Sequence, residues 1–190
     1  MIKRLLAALG LLALAGCSLS PPDSRDSVVM IDDKCSGFMV ADKLVATAAH
    51  CLELGEKTAI TTRDGRKFQG ITIHSDASTD TALVYLDKSP KLAYTPLACG
   101  YEPRVGDRIT VIGHPAFVFP WFVSKGFVAG DGQLPNFPHH FIWLDASIVG
   151  GNSGGPVFVN GYVVGITSVA LSTTHGGAVH IKHLCKVLNG

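Results

Sequence analysis

The sequence predicts an all-β chain of two sets of six short strands, each set the size of a small barrel or sandwich, followed by a short C-terminal helix. Three observations predict it. Apolar residues make up 47% of the 190 residues and charged ones 16%, which excludes a long disordered chain. The 21 glycines and 10 prolines follow no fixed period, as turns between short strands require. Runs rich in Val, Ile, Thr and aromatics recur along the chain, separated by turn residues such as Arg63-Asp64-Gly65. The formal charge of +1, from 16 Lys+Arg against 15 Asp+Glu, excludes a basic protein made to neutralise nucleic-acid phosphates.

The first element is an address. Met1-Ile2-Lys3-Arg4 opens with positive charge, and the apolar run from Leu5 to Ala15 is too short to span a bilayer as a stable helix. It ends in Leu14-Ala15-Gly16-Cys17, which resembles the lipobox of bacterial lipoproteins; an ordinary secretory signal is the alternative. The resemblance implies a signal peptide over residues 1–16, removed before a lipid-modified Cys17. Three acyl chains exceed the two signals that stable anchoring needs. Ser18, where an Asp would retain the protein at the inner membrane, implies an outer-membrane anchor facing the periplasm. Residues 17–27 hold the lipidated Cys and a tether whose Ser18–Ser27 stretch reaches about 30 Å at full extension.

The globular part is expected over residues 28–190. Its first half (28–88) reads as strands at Val28–Asp32, Ser36–Val40, Lys43–Thr47, Lys57–Thr61, Lys67–Ile73 and Thr81–Leu86. A Pro- and Gly-bearing linker follows over 89–106. The second half (107–181) reads as Arg108–Gly113, Val123–Ala129, Phe141–Asp145, Pro156–Val159, Tyr162–Val169 and Gly177–Ile181. In the last segment (182–190), Leu184, Val187 and Leu188 fall at helical spacing, with Gly190 beyond.

Of the five cysteines, setting Cys17 aside for lipid leaves Cys35, Cys51, Cys99 and Cys185, an even set suited to an oxidising compartment. Three pairings are open, and Cys35 and Cys51 flank a hairpin that can bring them together. No Cys-x-x-Cys pair occurs, and His139-His140 and His180-x-x-His183 read as surface or structural histidines. Neither a metal nor another cofactor is expected.

Gly150-Gly151-Asn152-Ser153-Gly154-Gly155-Pro156 surrounds one hydroxyl with residues small enough for close approach to the backbone. Such a loop can aim two N–H groups at one point, as an oxyanion intermediate requires. Thr47-Ala48-Ala49-His50-Cys51 ends an apolar strand with a histidine, and Asp80 opens the strand Thr81–Leu86. A serine needs a base to take its proton, and the base needs an acid partner to fix its tautomer.

These three segments, in the order His, Asp, Ser, resemble the signatures of chymotrypsin-fold serine proteases. Gly113-His114-Pro115, the stretch from Asp145 to Pro156 and the strand from Asn160 to Ile166 are most similar to the bacterial HtrA/Deg branch. The resemblance covers about residues 35–185 and implies two six-stranded antiparallel barrels with the active site between them. It implies Ser153 as nucleophile, His50 as general base, Asp80 as its orienting acid, and the N–H groups of Gly151 and Ser153 as the oxyanion hole. Asp76 is a nearby decoy for Asp80. The resemblance also implies disulfides Cys35–Cys51 and Cys99–Cys185, worth about 3 and about 4–5 kcal/mol in a loop-entropy picture.

The chain departs from the family in two ways. HtrA proteins carry PDZ domains after the protease, and this sequence is expected to lack them and the cage assembly they support. Asn152 stands where trypsin-like zymogens carry the aspartate that pairs with a freed N-terminal amine, so no proteolytic activation switch is expected. Its amide is expected to bond to neighbouring backbone instead. Ser147 at the base, Ser168, Val169 and Ala170 on one wall and Gly177 opposite are expected to line the primary specificity pocket. They offer no carboxylate to a Lys or Arg, so a small or medium apolar residue is expected before the scissile bond. The expected partners are protein or peptide substrates and, through the lipid, a membrane. An idle protease-fold lipoprotein acting as a binding module and a general esterase are the competing functions.

Overall fold

The computed structural model describes residues 24–115 and 121–190; the expected signal peptide, the expected lipid site Cys17 and the expected tether up to residue 23 lie outside the described residues. A 3₁₀ turn over Ser24–Ser27 leads into β1 (Val28–Ile31), β2 (Cys35–Ala41), β3 (Leu44–Thr47), β4 (Lys57–Thr61), β5 (Lys67–Asp76) and β6 (Thr81–Leu86). These strands close into an antiparallel barrel in the order β1-β2-β3-β6-β5-β4, with Met30 opposite Thr61 and Ile31 opposite Ile60 at the closure.

The second barrel comprises β7 (Arg108–Gly113), β8 (Phe122–Gln133), β9 (His140–Asp145), β10 (Pro156–Val159), β11 (Tyr162–Ala170) and β12 (His175–His180). It closes where Val157 meets Val111. Its order, β10-β11-β12-β9-β8-β7, repeats the pairing scheme of the first barrel strand for strand. The helix α1 (Lys182–Asn189) follows, burying Leu184 and Cys185.

Strand patterning explains which residues face inward. Along β5, Gly70 and Thr72 are buried while Gln69, Ile71 and Ile73 are exposed, the period of two that a half-solvated strand requires. All of β10 is buried. One core joins Ile31, Phe38, Val45 and Val84 of the first barrel to Phe158 of the second and Leu184 of α1. A second core fills the second barrel around Ile109, Val128, Leu144 and Val164.

Two strands run further than their pattern suggests. β5 continues to Asp76 and β8 to Gln133, each past an irregularity, between Thr72 and His74 against β6 and between Val128 and Gly130 against β9. A bulge inserts an extra residue and inverts the alternation beyond it, which conceals the continuation from a period-two reading.

Both disulfides have the implied pairing. Cys35–Cys51 ties the start of β2 to the turn after β3 across 16 residues, and Cys99–Cys185 ties the linker to α1 across 86. The linker touches both barrels: Thr95 N–H donates to the Met39 carbonyl at 3.0 Å and Ala98 N–H to the Val163 carbonyl at 2.9 Å. Loop-closure entropy makes the longer ring the more stabilising one. Urea unfolding of the oxidised protein should show a loss of about 4 kcal/mol for the Cys99→Ser, Cys185→Ser pair and about 3 for Cys35→Ser, Cys51→Ser. The opposite order would contradict that account.

Candidate active site

The register of two strands brings His50 and Asp80 together. β3 pairs antiparallel with β6, Thr47 opposite Ala82, so the residues just past the end of β3 meet those just before β6. His50 lies in a single 3₁₀ turn, Ala49–Cys51. Asp80 takes a left-handed conformation (φ 48°), which Asp tolerates better than most residues. Its carboxylate accepts the His50 backbone N–H at 3.0 Å, and both of its oxygens lie 3.0 Å from His50 Nδ1. With Nδ1 directed at Asp80, Nε2 is the ring nitrogen left for chemistry.

Burial alone would raise the Asp80 pKa. The hydrogen bond and charge of His50, with the Ser168 hydroxyl and the His50 N–H, outweigh it and hold the carboxyl below its usual range. Ser168 donates to Asp80 Oδ2 from the irregularity between Thr167 and Val169 in the β11–β12 pairing. That contact has no motif to announce it. Asp76 instead closes its own local turn, accepting from Ser78 N–H at 2.8 Å and Thr79 Oγ1 at 2.9 Å.

The glycine-rich loop forms two consecutive turns, closed by Asn152 N–H to the Val149 carbonyl (3.1 Å) and Gly155 N–H to the Asn152 carbonyl (2.9 Å). Gly151 (φ 96°) and Gly154 (φ 82°) supply the left-handed backbone. A Cβ on Gly154 would lie 2.1 Å from Thr47 Oγ1 and 2.2 Å from the Ser36 carbonyl, so no larger residue fits. The N–H groups of Asn152, Gly154 and Gly155 are bonded to backbone carbonyls. Among the described residues, those of Gly151 and Ser153 have no acceptor.

The loop is fastened to the opposite barrel. Ser36 N–H donates to the Ser153 carbonyl at 2.7 Å, and Cys51 Sγ lies 3.9 Å from the same oxygen. Ser153 thus stands beside the turn that carries His50. Its hydroxyl makes no hydrogen bond among the described residues. Asn152 departs from expectation: it is buried, yet neither Oδ1 nor Nδ2 has a hydrogen-bond partner. Beside it, the Ser36 hydroxyl holds the Gly151 carbonyl at 2.7 Å.

A cleft of about 460 Å³ opens beside this pair, lined by Ala49, His50, Leu52, Phe137, Ser168 and Val169 among others. Ser168 and Val169 therefore border it as well as the expected wall. Ser147, Ala170 and Gly177 do not line this cleft, and a Cβ on Gly177 would meet Trp143 at 2.9 Å. Among the described residues the one grouping of three metal-ligand types is Cys35, His50 and Cys51, and its two sulfurs are already joined to each other.

Residues 35–166, which include His50, Asp80 and Ser153, match the trypsin-like peptidase domain. The chain belongs to that family. A "Probable periplasmic serine endoprotease DegP-like" of Rickettsia prowazekii is 33% identical over 144 residues, 72% of this chain and 28% of that protein. The protein of the same description from Pseudomonas putida is 36% identical over 146 residues, 75% of this chain and 30% of its own length. A "Probable periplasmic serine protease do/HhoA-like" of Haemophilus influenzae is 32% identical over 139 residues, covering 70% and 30%. The chain thus spans about three-tenths of the length of these relatives.

Behind the loop lies His114, 2% exposed, whose backbone N–H donates to Ser36 Oγ at 2.8 Å. Desolvation pushes its pKa down from 6.5 to about 4. Between those values the unfolded chain binds a proton that the folded chain refuses, so stability falls as pH drops through this window. The full effect is about 3 kcal/mol. Urea unfolding at pH 7 and pH 4 should show this loss, and His114→Asn should lack most of it; an unchanged difference in the variant would remove His114 as its source.

Proposed function

We propose that this domain is a serine endopeptidase working through an acyl-enzyme, with Ser153 as nucleophile, His50 as general base and Asp80 as its orienting acid. The observation that carries the reading is the loop's pattern of N–H groups. The N–H groups of Asn152, Gly154 and Gly155 are consumed by the fold, while among the described residues Gly151 and Ser153, on either side of Asn152, keep theirs free beside a His–Asp pair. In this mechanism His50 Nε2 takes the Ser153 proton as Oγ attacks the peptide carbonyl carbon. The carbonyl oxygen becomes an oxyanion held by the two N–H groups. Asp80 keeps the ring proton on Nδ1 and stabilises the imidazolium. His50 then protonates the leaving amine, leaving Ser153 as an ester, and a water activated by the same histidine completes hydrolysis. Distances from serine to histidine are commonly long before substrate binds, so the unbonded Ser153 hydroxyl suits a resting site.

The mostly apolar walls of the cleft beside His50 suit peptide substrates with apolar side chains near the scissile bond, and no free carboxylate there favours Lys or Arg. The periplasmic descriptions of the relatives support export, and the segment ending at Cys17 supports a lipid anchor in the outer membrane.

Ser153→Ala and His50→Ala are each expected to lower kcat by about 10⁴-fold or more in a folded protein, since the members act as a unit. A fluorophosphonate should label wild type at Ser153 alone. Purified Ser153→Ala with activity within tenfold of wild type would remove the assignment, and an unlabelled, inactive wild type would favour the idle binding module. The anchor has its own test: metabolic labelling with a clickable palmitate should mark wild type and not Cys17→Ser. Equal labelling of both proteins would eliminate Cys17 as the lipid site.

A further inference from the structure

The two N–H groups of the hole sit in a loop whose own turns leave the Gly150–Gly151 peptide without a hydrogen bond among the described residues. Gly150 and Gly151 have no side chains to pack, and a Cβ placed on Gly150 would meet nothing within 4 Å. Glycine peptides rotate at low cost, so the direction of the Gly151 N–H depends on what grips its neighbours. The Asn152 N–H, in the same peptide as the Gly151 carbonyl, is held by the Val149 carbonyl at 3.1 Å, but the Asn152 side chain adds no grip, its Oδ1 and Nδ2 being without partners among the described residues. The grip comes from the other barrel. Ser36, fully buried on β2, donates its single hydroxyl proton to the Gly151 carbonyl at 2.7 Å. Ser36 Oγ in turn accepts the His114 backbone N–H at 2.8 Å, and His114 Nδ1 lies 3.2 Å from it. Ser36 N–H holds the Ser153 carbonyl, while Thr47 Oγ1 holds the Ser36 carbonyl at 2.7 Å.

We infer that Ser36 is the positioning residue of the oxyanion hole: its hydroxyl, oriented by His114, fixes the carbonyl on the far side of the Gly151 Cα and so narrows the torsions of Gly151 through which its N–H is aimed at the reacting carbonyl. The inference rests on the acyl-enzyme reading given above. His114 serves the arrangement through its backbone N–H, which leaves the Ser36 proton free for Gly151, and its ring completes the hydroxyl's second lone pair when Nδ1 carries the ring proton. The support is rigid because Ser36 follows Cys35, whose disulfide partner Cys51 follows His50. The base and the hole are therefore braced by one stretch of covalent structure.

Removing one oxyanion donor outright costs about 10²–10³ in kcat. Loosening a donor without deleting it should cost less. Ser36→Ala and Ser36→Gly are expected to lower kcat by about 10- to 100-fold per titrated site, with KM within about threefold. A peptide aldehyde, which forms a hemiacetal oxyanion on Ser153, should lose affinity by a matching factor. A purely structural role would lower the melting temperature and the fraction of titratable sites while leaving kcat per site intact. The inference is overturned by a folded variant with kcat within threefold of wild type, by unchanged aldehyde affinity, or by failure of both variants to fold. A wild type that neither cleaves peptide nor reacts with the aldehyde would instead defeat the acyl-enzyme reading itself.

Discussion

The hydrogen bond from Ser36 N–H to the Ser153 carbonyl, 2.7 Å long, is where the two barrels are set against each other at the scale that the chemistry needs. His50 and Asp80 belong wholly to the first barrel and Ser153 to the second, so neither barrel holds the site alone. The pairing of β3 with β6 brings the histidine and aspartate together without help from the second barrel. The serine has no such local guarantee, and its loop is rich in the residue that costs most to order. The bond at Ser36, with Gly154 lying flat against Thr47 and the Ser36 carbonyl, removes that freedom. A core that runs from Ile31 and Phe38 through to Phe158 and Leu184 makes the interface solid enough for one bond to matter.

The repeated pairing scheme gives this arrangement its economy of parts. In both barrels the third strand pairs with the sixth and the first with the fourth. The first barrel uses the corner between its third and sixth strands for the His50–Asp80 pair. The second uses the approach to its fourth strand, β10, for the glycine-rich loop, and an irregularity in its fifth, β11, to aim Ser168 at Asp80. Bulges re-aim side chains, and a strand in strict alternation would present Ser168 to the barrel's inside or outside instead. Asp80 is thereby held from both barrels.

Much of this is legible in the sequence because it is local. Period-two runs and turn residues predict the strands and their count, and only the extensions of β5 and β8 past their bulges escape that pattern. The His50 turn and the Gly150–Pro156 loop are legible because their chemistry needs particular residues side by side. The Ser168, Gly151 and His114 contacts are not, since they join residues 88, 115 and 78 positions apart. Ser36 reads as an ordinary strand residue, and nothing around it in the chain marks a hydroxyl with one proton to give and two partners to satisfy. Asn152 misleads for a related reason. Its amide can bond, but neither Oδ1 nor Nδ2 finds a partner among the described residues, an outcome of the loop's three-dimensional course that composition does not display.

The cost of this arrangement is concentrated where the function is. Buried side-chain atoms without hydrogen-bond partners include Oδ1 and Nδ2 of Asn152, Nε2 of His114 and Nε1 of Trp121. His114 and Trp121 meet edge to face with ring centroids 4.4 Å apart, and His114 shares Ser36 with the glycine-rich loop that holds Asn152. Each such atom costs about 1–3 kcal/mol relative to a satisfied one. Apolar residues there would be more stable, but a packed apolar cluster would lack the Ser36 hydroxyl that holds the Gly151 carbonyl. Natural sequences depart from local consistency at functional sites and compensate elsewhere. Here the compensation lies close by, in two disulfides, one adjoining His50 and the other closing the linker onto α1. An oxidised scaffold thus tolerates an internally frustrated loop, and that tolerance lets a stretch of small residues hold a defined shape before any substrate arrives.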